Sequence, residues 1–486
     1  MSDFKNLYEK LIEYSGTPAY PFHMPGHKRR MMFMENPYRF DLTEIDGFDN
    51  LHEAEGILKE EQERAARLYG SEETHFVVNG STGGILSAIG GVLQRGDRVL
   101  VARNCHTSVY HGLELNGLRP VYLWPEPDGK TGIYRGLTRE QVEEALGKYS
   151  DIRAVIFTSP TYEGLLSDVR GICESAHQRG IPCIVDGAHG AHFPWAGLPD
   201  AVACGADVVV QSLHKTLPAL TQTALIHLNG SLVNRERIRK MLSVYQTSSP
   251  SYVLMASISQ CMTWLEREGA GQFERYERQA RELRKRLANM KQLYLYKPEE
   301  DFDWGKLVIC TRNVPGRAVY DQLREDFGLQ MEMTSAKYVL AMTTVGDSPE
   351  GFERLAEALE AIDLDLQRAE AAAERREVMN PQAVRESAIA PEGHAVPEVP
   401  SMPVRCMEID RAVIQPMEEV PLDKADGRVM GDYLYLYPPG IPMLVPGEVI
   451  QMKHIERIKD YLSQGLEVHG GYSKESGNVK VILHHG

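Results

Sequence analysis

What this chain has little of narrows what it can do. Basic residues are outnumbered, 53 Lys and Arg against 68 Asp and Glu, for a formal net charge of -15. There is no basic stripe, so nucleic acid is not an expected partner. The acidic balance serves solubility first, and a negative field also suits a cationic ligand. Seven cysteines are scattered without a Cys-x-x-Cys pair, which points away from a zinc site and from a disulfide framework. No apolar run approaches a membrane span. The opening Met-Ser-Asp-Phe-Lys-Asn is charged and has no apolar signal core, so a reducing cytoplasm is the expected compartment. No internal repeat is visible. What remains is an ordinary globular composition, 43% hydrophobic over 486 residues, with length for roughly two or three domains.

Against that background two segments stand out. Ile184-Val-Asp186-Gly-Ala-His189-Gly-Ala-His192 and Val208-Val-Val-Gln-Ser212-Leu-His214-Lys215-Thr216 each read as a buried β-branched strand ending in reactive side chains. A carboxylate at one strand end and a lysine at the next suit pyridoxal phosphate. The amine forms a Schiff base with the cofactor aldehyde. The carboxylate pairs with the ring nitrogen, so the ring can act as an electron sink. Taken singly, each is an ordinary surface lysine or capping aspartate; the pairing, with three histidines among them, favours a cofactor site.

An anion cradle precedes both. Thr74–Asn79 reads as a strand, then Gly80-Ser81-Thr82-Gly83-Gly84 leads into a helix. Glycines let backbone N–H groups approach a phosphate, and a helix N-terminus favours negative charge. Ser81 and Thr82 add hydroxyls. The turn has neither the Walker lysine nor the dinucleotide spacing.

Strands are expected at 74–79, 98–102, 119–123, 153–158, 181–186, 207–211 and 223–227, with helices between most of them. Thr138-Arg-Glu-Gln141 is a capping box opening one such helix. The alternation predicts an α/β fold, a mostly parallel, doubly wound sheet of seven strands. Ligands in such sheets bind beyond the C-terminal strand ends, where the glycine turn, Asp186 and Lys215 all fall. An amphipathic helix is expected over 4–14, and another from about 50 to Gly70. Long helices follow over 250–290, short strands at 306–310 and 338–342, and a charged helix at 349–376. Residues 379–404, rich in Pro, Ala and Glu, read as a linker. Strands at 433–437 and 479–483 close the chain. The implied division is an N-terminal arm (1–50), a large cofactor-binding domain (51–295), a small α/β domain (296–378), the linker, and a C-terminal domain (405–486).

With these motifs in hand, the chain resembles the bacterial ornithine/lysine/arginine decarboxylases. The resemblance runs through Pro21-Phe-His-Met-Pro-Gly-His-Lys28, Thr43-Glu-Ile-Asp46, Asp49-Asn-Leu-His52, Asn79-Gly-Ser-Thr82, Asn104-Cys-His106, Asp186-Gly-Ala-His189, Ser212-Leu-His-Lys215, Thr247-Ser-Ser-Pro-Ser-Tyr252, Tyr437-Pro-Pro-Gly-Ile-Pro442 and Pro446-Gly-Glu448. Thr107 stands where many relatives carry a basic residue. The resemblance implies an aspartate-aminotransferase-like sheet with smaller α+β domains after it. It also implies a short form without a regulator-like N-terminal domain, a trait it links with arginine enzymes.

The resemblance implies roles as well. Lys215 carries pyridoxal 5′-phosphate, Asp186 meets the ring nitrogen, and His106 stacks on the ring. Ser81, Thr82 and Ser212 reach the phosphate, while Thr247 and Ser248 reach that of a second subunit, which implies at least a homodimer. His214 contacts the phosphate or positions substrate, and His189 is expected to hydrogen-bond Asp186. His23 and His27 either cap the arm at a subunit boundary or simply pack. The expected substrate is a basic amino acid, arginine, lysine or ornithine, whose distal cation needs an acidic partner. Asp46, Glu332 and Glu448 are the candidates. Two rivals stand beside decarboxylation: a fold-type-I aminotransferase or lyase, and a silent regulatory relative.

Overall fold

The computed structural model describes residues 14–30, 36–299, 301–379, 402–437 and 440–483. The expected helix over 4–14 and nearly all of the linker lie outside the described residues, as do Pro438 and Pro439. After a short strand β1 (Tyr20–Phe22) and a helix (Ile57–Tyr69), the chain alternates strands and helices. The strands are β2 (Glu73–Val77), β3 (Arg98–Ala102), β4 (Arg119–Leu123), β5 (Ile152–Thr158), β6 (Cys183–Asp186), β7 (Val208–Ser212) and β8 (Ala224–Leu228). They form one sheet in the order β2-β8-β7-β6-β5-β3-β4. Only β8 runs against the others.

The sequence pattern accounts for this sheet. Every residue of β6, β7 and β8 is buried, so both faces are covered, as continuous Val/Ile runs require. Each fully buried Val, Ile or Leu contributes on the order of 1.5–3 kcal/mol. Two expected helix boundaries also hold: Gly70 ends its helix in the left-handed conformation, and Thr138 and Gln141 form the reciprocal capping box that opens another.

Smaller sheets follow. Strands β9 (Leu293–Leu295), β10 (Lys306–Thr311), β11 (Leu329–Met331), β12 (Met333–Thr334) and β13 (Tyr338–Met342) precede a long helix (Pro349–Met379). The order β12-β13-β10-β9 makes a four-stranded sheet, and β11 instead pairs in parallel with β1. The N-terminal arm is thereby stitched onto this second layer. The C-terminal segment holds β14 (Met417–Pro421), β15 (Leu434–Leu436), β16 (Ile441–Leu444), β17 (Val468–Gly470) and β18 (Asn478–Ile482) around their own apolar cluster. Several of these strands are only two to four residues long. Partners in other layers define them, which is why periodicity alone passed over β1, β9, β11 and β12.

Candidate active site

The C-terminal ends of β2, β3, β5, β6 and β7 share one edge of the sheet, and the reactive residues gather there. Asp186 is the last residue of β6, paired in register with Thr158 of β5 and Val210 of β7. Five residues past Val210, Lys215 sits in a four-residue helix, Leu213–Thr216. Asp186 is buried and accepts from the Ala188 N–H at 3.1 Å. Burial pushes its pKa up, against Lys215 and that N–H. Burial pulls Lys215 down, against Asp186 and Glu332.

The anion cradle has the expected form. Gly80 adopts φ +68° at the turn after β2, a conformation that costs glycine nothing. Asn79 gives the helix Gly80–Val92 no side-chain cap; its Nδ2 donates to the Tyr245 carbonyl at 2.9 Å instead. The helix lies close on β7, for a β-carbon at Gly84 would stand 2.7 Å from Val210 Cγ1. Ser212 Oγ, at the end of that strand, is buried and has no hydrogen-bond partner. A buried hydroxyl without a partner costs free energy. An uncapped helix start beside such a hydroxyl fits a phosphate.

His106 is the N-cap of the helix Thr107–Leu115, and its Nδ1 accepts from the Ser108 N–H at 3.2 Å. Burial, then Lys215 and His111, lower its pKa to about 4, so the ring is neutral at neutral pH. The Gly440 carbonyl accepts from the Thr107 N–H at 3.0 Å, which brings the C-terminal segment over this corner. His214 Nδ1 lies 3.0 Å from the Thr223 carbonyl, and burial lowers its pKa to about 4.

Comparison with known proteins fits this geometry. The family model for the major domain of Orn/Lys/Arg decarboxylases matches residues 5–305, and that for the C-terminal domain matches 370–476. The chain belongs to the ornithine/lysine/arginine decarboxylase family. It is 31% identical to an arginine decarboxylase of Bacillus subtilis, over 98% of this chain and 97% of that one. To lysine decarboxylase A of Pseudomonas aeruginosa it is 24% identical, over 91% and 73%. Among solved structures, the lysine decarboxylase of Francisella novicida superposes with a TM-score of 0.76 at 20% identity, over 98% of this chain and 80% of that one.

Within this family member the expected residues separate into two groups. Lys215, Asp186, His106, His189, Ser212, His214, Ser81 and Thr82 stand at one sheet edge. Thr247 and Ser248 are exposed, and the Thr247 carbonyl instead meets His52 Nε2 at 2.8 Å. Two readings need correction. His189 turns both ring nitrogens to lysines: Nε2 lies 3.2 Å from Lys215 Nζ, and Nδ1 lies 2.7 Å from Lys306 Nζ. Its expected bond to Asp186 is replaced because Lys306 reaches in from the second layer. Glu448 is buried against Arg103, 3.1 Å from Nη2, and accepts from the Val445 N–H at 2.9 Å. It ties the C-terminal segment to the large sheet and is no open acid for a substrate. Asp46 is exposed in its loop and does not line the large cavity.

Glu332 does line that cavity, which measures about 1010 Å³ and lies between the second layer and the C-terminal segment. One carboxylate oxygen accepts from the Met24 N–H at 2.9 Å; the other accepts from Tyr162 Oη. Tyr162 meets His189 edge to face at 4.9 Å. The cavity wall is thus linked through Tyr162 and His189 to Lys215.

Tyr162, Glu163 and Lys306 were missed. Tyr162 follows the end of β5, where the strand-end rule could have found it. Glu163 is held by Tyr338 Oη at 2.7 Å, and burial raises its pKa. Lys306 opens the apolar strand Lys306-Leu-Val-Ile-Cys310, and a lysine at such a position is itself a signal. The Pro21–Lys28 motif is explained by packing. The Gly26 N–H donates to the His214 carbonyl at 2.7 Å, and Lys28 Nζ donates to the Met342 carbonyl at 2.7 Å. His23 Nδ1 lies 2.5 Å from the Met24 carbonyl, and His27 accepts from the Arg29 N–H at 3.0 Å. The arm therefore clasps the Lys215 segment to the second layer.

Proposed function

We propose that this chain decarboxylates a basic amino acid, with pyridoxal 5′-phosphate carried on Lys215. The observation that carries the reading is the meeting of Lys215, Asp186, His106 and an unpartnered Ser212 hydroxyl beside an uncapped glycine turn. The cofactor, when bound, supplies a ring that accepts the electron pair left by a departing carboxylate. Asp186 would hold the ring-nitrogen proton, since a buried carboxylate is stabilised by a cation beside it. Ser81, Thr82 and Ser212 would hold the phosphate, and His106 would lie against the ring. Neutral His106 puts no competing positive charge beside the group that loses carbon dioxide.

Glu332, at the cavity wall, would receive the distal cation. Such a charge needs an acid when buried, because an unpaired one costs several kcal/mol, on the order given for desolvated ions. Arginine is favoured over lysine and ornithine. Four relatives matched over 97–98% of their own length are named arginine decarboxylases, whereas the lysine decarboxylase of Pseudomonas aeruginosa is matched over 73% of its length.

The function is exercised, on this reading, by a cytoplasmic homodimer in which Thr247 and Ser248 serve the neighbouring site. No helix among the described residues is long and apolar enough to cross a membrane. The separate apolar cluster of the C-terminal strands supports residues 405–486 as a domain of their own. The test is release of carbon dioxide from carboxyl-labelled arginine, lysine and ornithine with no 2-oxo acid present. Release from arginine is expected. Release from none of the three, or only with an acceptor acid, would sink the proposal.

A further inference from the structure

A neutral imidazole has one N–H and one lone pair. His189 nevertheless faces an amine from each ring nitrogen, Lys215 at 3.2 Å and Lys306 at 2.7 Å. It is buried, and burial, then Lys215, Lys306, His106 and His214, hold its pKa well below the ordinary value. A doubly protonated ring between two amines is therefore excluded at neutral pH. Two ammonium groups cannot both donate to the single lone pair, so one of the two lysines must be a neutral amine that accepts.

The surroundings say which. The Lys306 contact is shorter by half an ångström, as a charge-assisted bond is. Lys306 Nζ also stands 5.6 Å from the centre of the Tyr162 ring, a face that favours a cation. Burial, with Lys215 beside it, pulls its pKa down to about 8, against the acids Asp303, Glu332 and Glu163 around it. Lys215 has Asp186 and Glu332 as its acidic neighbours, and its Nζ has His189 as hydrogen-bond partner.

We propose that Lys306 is a positioning residue for Lys215: its ammonium donates to His189 Nδ1, which fixes the Nε2–H tautomer, and that N–H donates to Lys215, which is held as the neutral amine. The inference rests on the cofactor assignment made above. A neutral Lys215 is the form that reacts. Its lone pair adds to the aldehyde carbon, and its two protons leave with the aldehyde oxygen as water. A second cation, 91 sequence positions beyond Lys215, thereby controls when Lys215 can be used, and the control comes from the second layer of the fold, not from the sheet that carries Lys215.

The test uses the full chain, freed of bound aldehyde with hydroxylamine and mixed with pyridoxal phosphate between about pH 5 and pH 10, the window in which an amine of lowered pKa titrates. Absorbance reports the rate of imine formation, and borohydride fixation with peptide mapping reports the lysine labelled. Lys306→Met is expected to move the midpoint of the rate profile upward by about one pH unit or more, because Lys215 then keeps its proton longer. Lys306→Arg, which keeps the charge, is expected to restore most of the wild-type midpoint. Coincident profiles for wild type and Lys306→Met, with Lys215 labelled in both, overturn the role of Lys306 and leave the cofactor assignment intact. A wild type that never labels Lys215 overturns both. Should Lys306→Met fail to fold, the nitrogen-15 NMR signals of histidine-labelled wild type decide the matter, with His189 assigned by its loss in His189→Gln. The Nε2–H tautomer is expected, and the Nδ1–H tautomer overturns the proposal.

Discussion

Arg103 and Lys215 are two cations placed alike, each just beyond the C-terminal end of a parallel strand in one sheet, and their surroundings differ completely. Arg103 is fully buried. It donates to Tyr110 Oη, to the Pro442 and Met443 carbonyls and to Glu448, between 2.7 and 3.2 Å. The rings of Tyr110, Tyr122 and Trp124 lie 5.2 to 5.4 Å from its guanidinium carbon. Lys215 has one hydrogen-bond partner among the described residues, and that partner is itself basic. A buried cation with a carboxylate and several acceptors is structural. One left short of acceptors gives up its proton easily and becomes a nucleophile. The same strand-end position thus yields a strut or a reagent, according to what the other layers bring to it.

Substitution at each cation's site separates the two roles most sharply. Lys215→Ala should reduce carbon dioxide release by about a thousandfold or more, the usual cost of losing a covalent catalyst, with the melting temperature little changed. An equal drop in melting temperature and activity would make Lys215 structural and remove the contrast. Glu448→Ala should do the reverse. It leaves Arg103 without its carboxylate, a loss of about 3–5 kcal/mol for a broken buried pair, visible as an earlier transition in urea. Activity per folded molecule should remain, and a specific loss of turnover with unchanged stability would return Glu448 to the candidate substrate residues.

Glu332→Gln addresses the cavity wall between these two sites. If Glu332 meets the distal cation in ground and transition states alike, KM for arginine should rise about tenfold or more while kcat holds. Unchanged KM would place recognition elsewhere, Glu163 being the next acid on the same wall.

The smallest effect is on pH. His106 and His214 have pKa values lowered to about 4 and His227 to about 3, all through burial. The unfolded chain takes up these protons below its ordinary histidine pKa, and the folded chain resists. Stability from these groups is therefore present above about pH 6.5 and is lost as pH falls toward 4. Asp200 works the other way, raised to about 6 by burial, so its contribution grows as pH falls below that value. Among the described residues burial lowers the pKa of seven histidines in all, against five carboxylates that it raises, so melting temperature should decline from pH 6.5 to 4. A flat or rising profile would show that Asp200 and the other raised carboxylates dominate.

Legibility followed the same divide as the two cations. In the large sheet β3, β5, β6, β7 and β8 were readable because they are mostly apolar runs buried on both faces, whereas the edge strands β2 and β4 are mixed and only partly buried. Asp186, Lys215, His106 and the Gly80–Gly84 turn were readable because they end such runs. Lys306 was not, since its meaning lies in reaching His189 across 117 positions of sequence. Glu448 was misread for the matching reason. A Pro-Gly-Glu near the end of the chain looks like an open acid until Arg103, 345 positions earlier, is seen to occupy it.

The chain by itself therefore determined the α/β sheet, its order of motifs and the strand-end positions of Lys215 and Asp186, because strand periodicity and strand-end position are local properties. Only the tertiary structure decided which buried charges are satisfied and which are not. That question depends on hydrogen-bond partners delivered from distant segments: Lys306 to His189, Glu448 to Arg103, Glu332 to Tyr162. In a low-dielectric interior those partners, more than residue type, separate a strut from a reactive group.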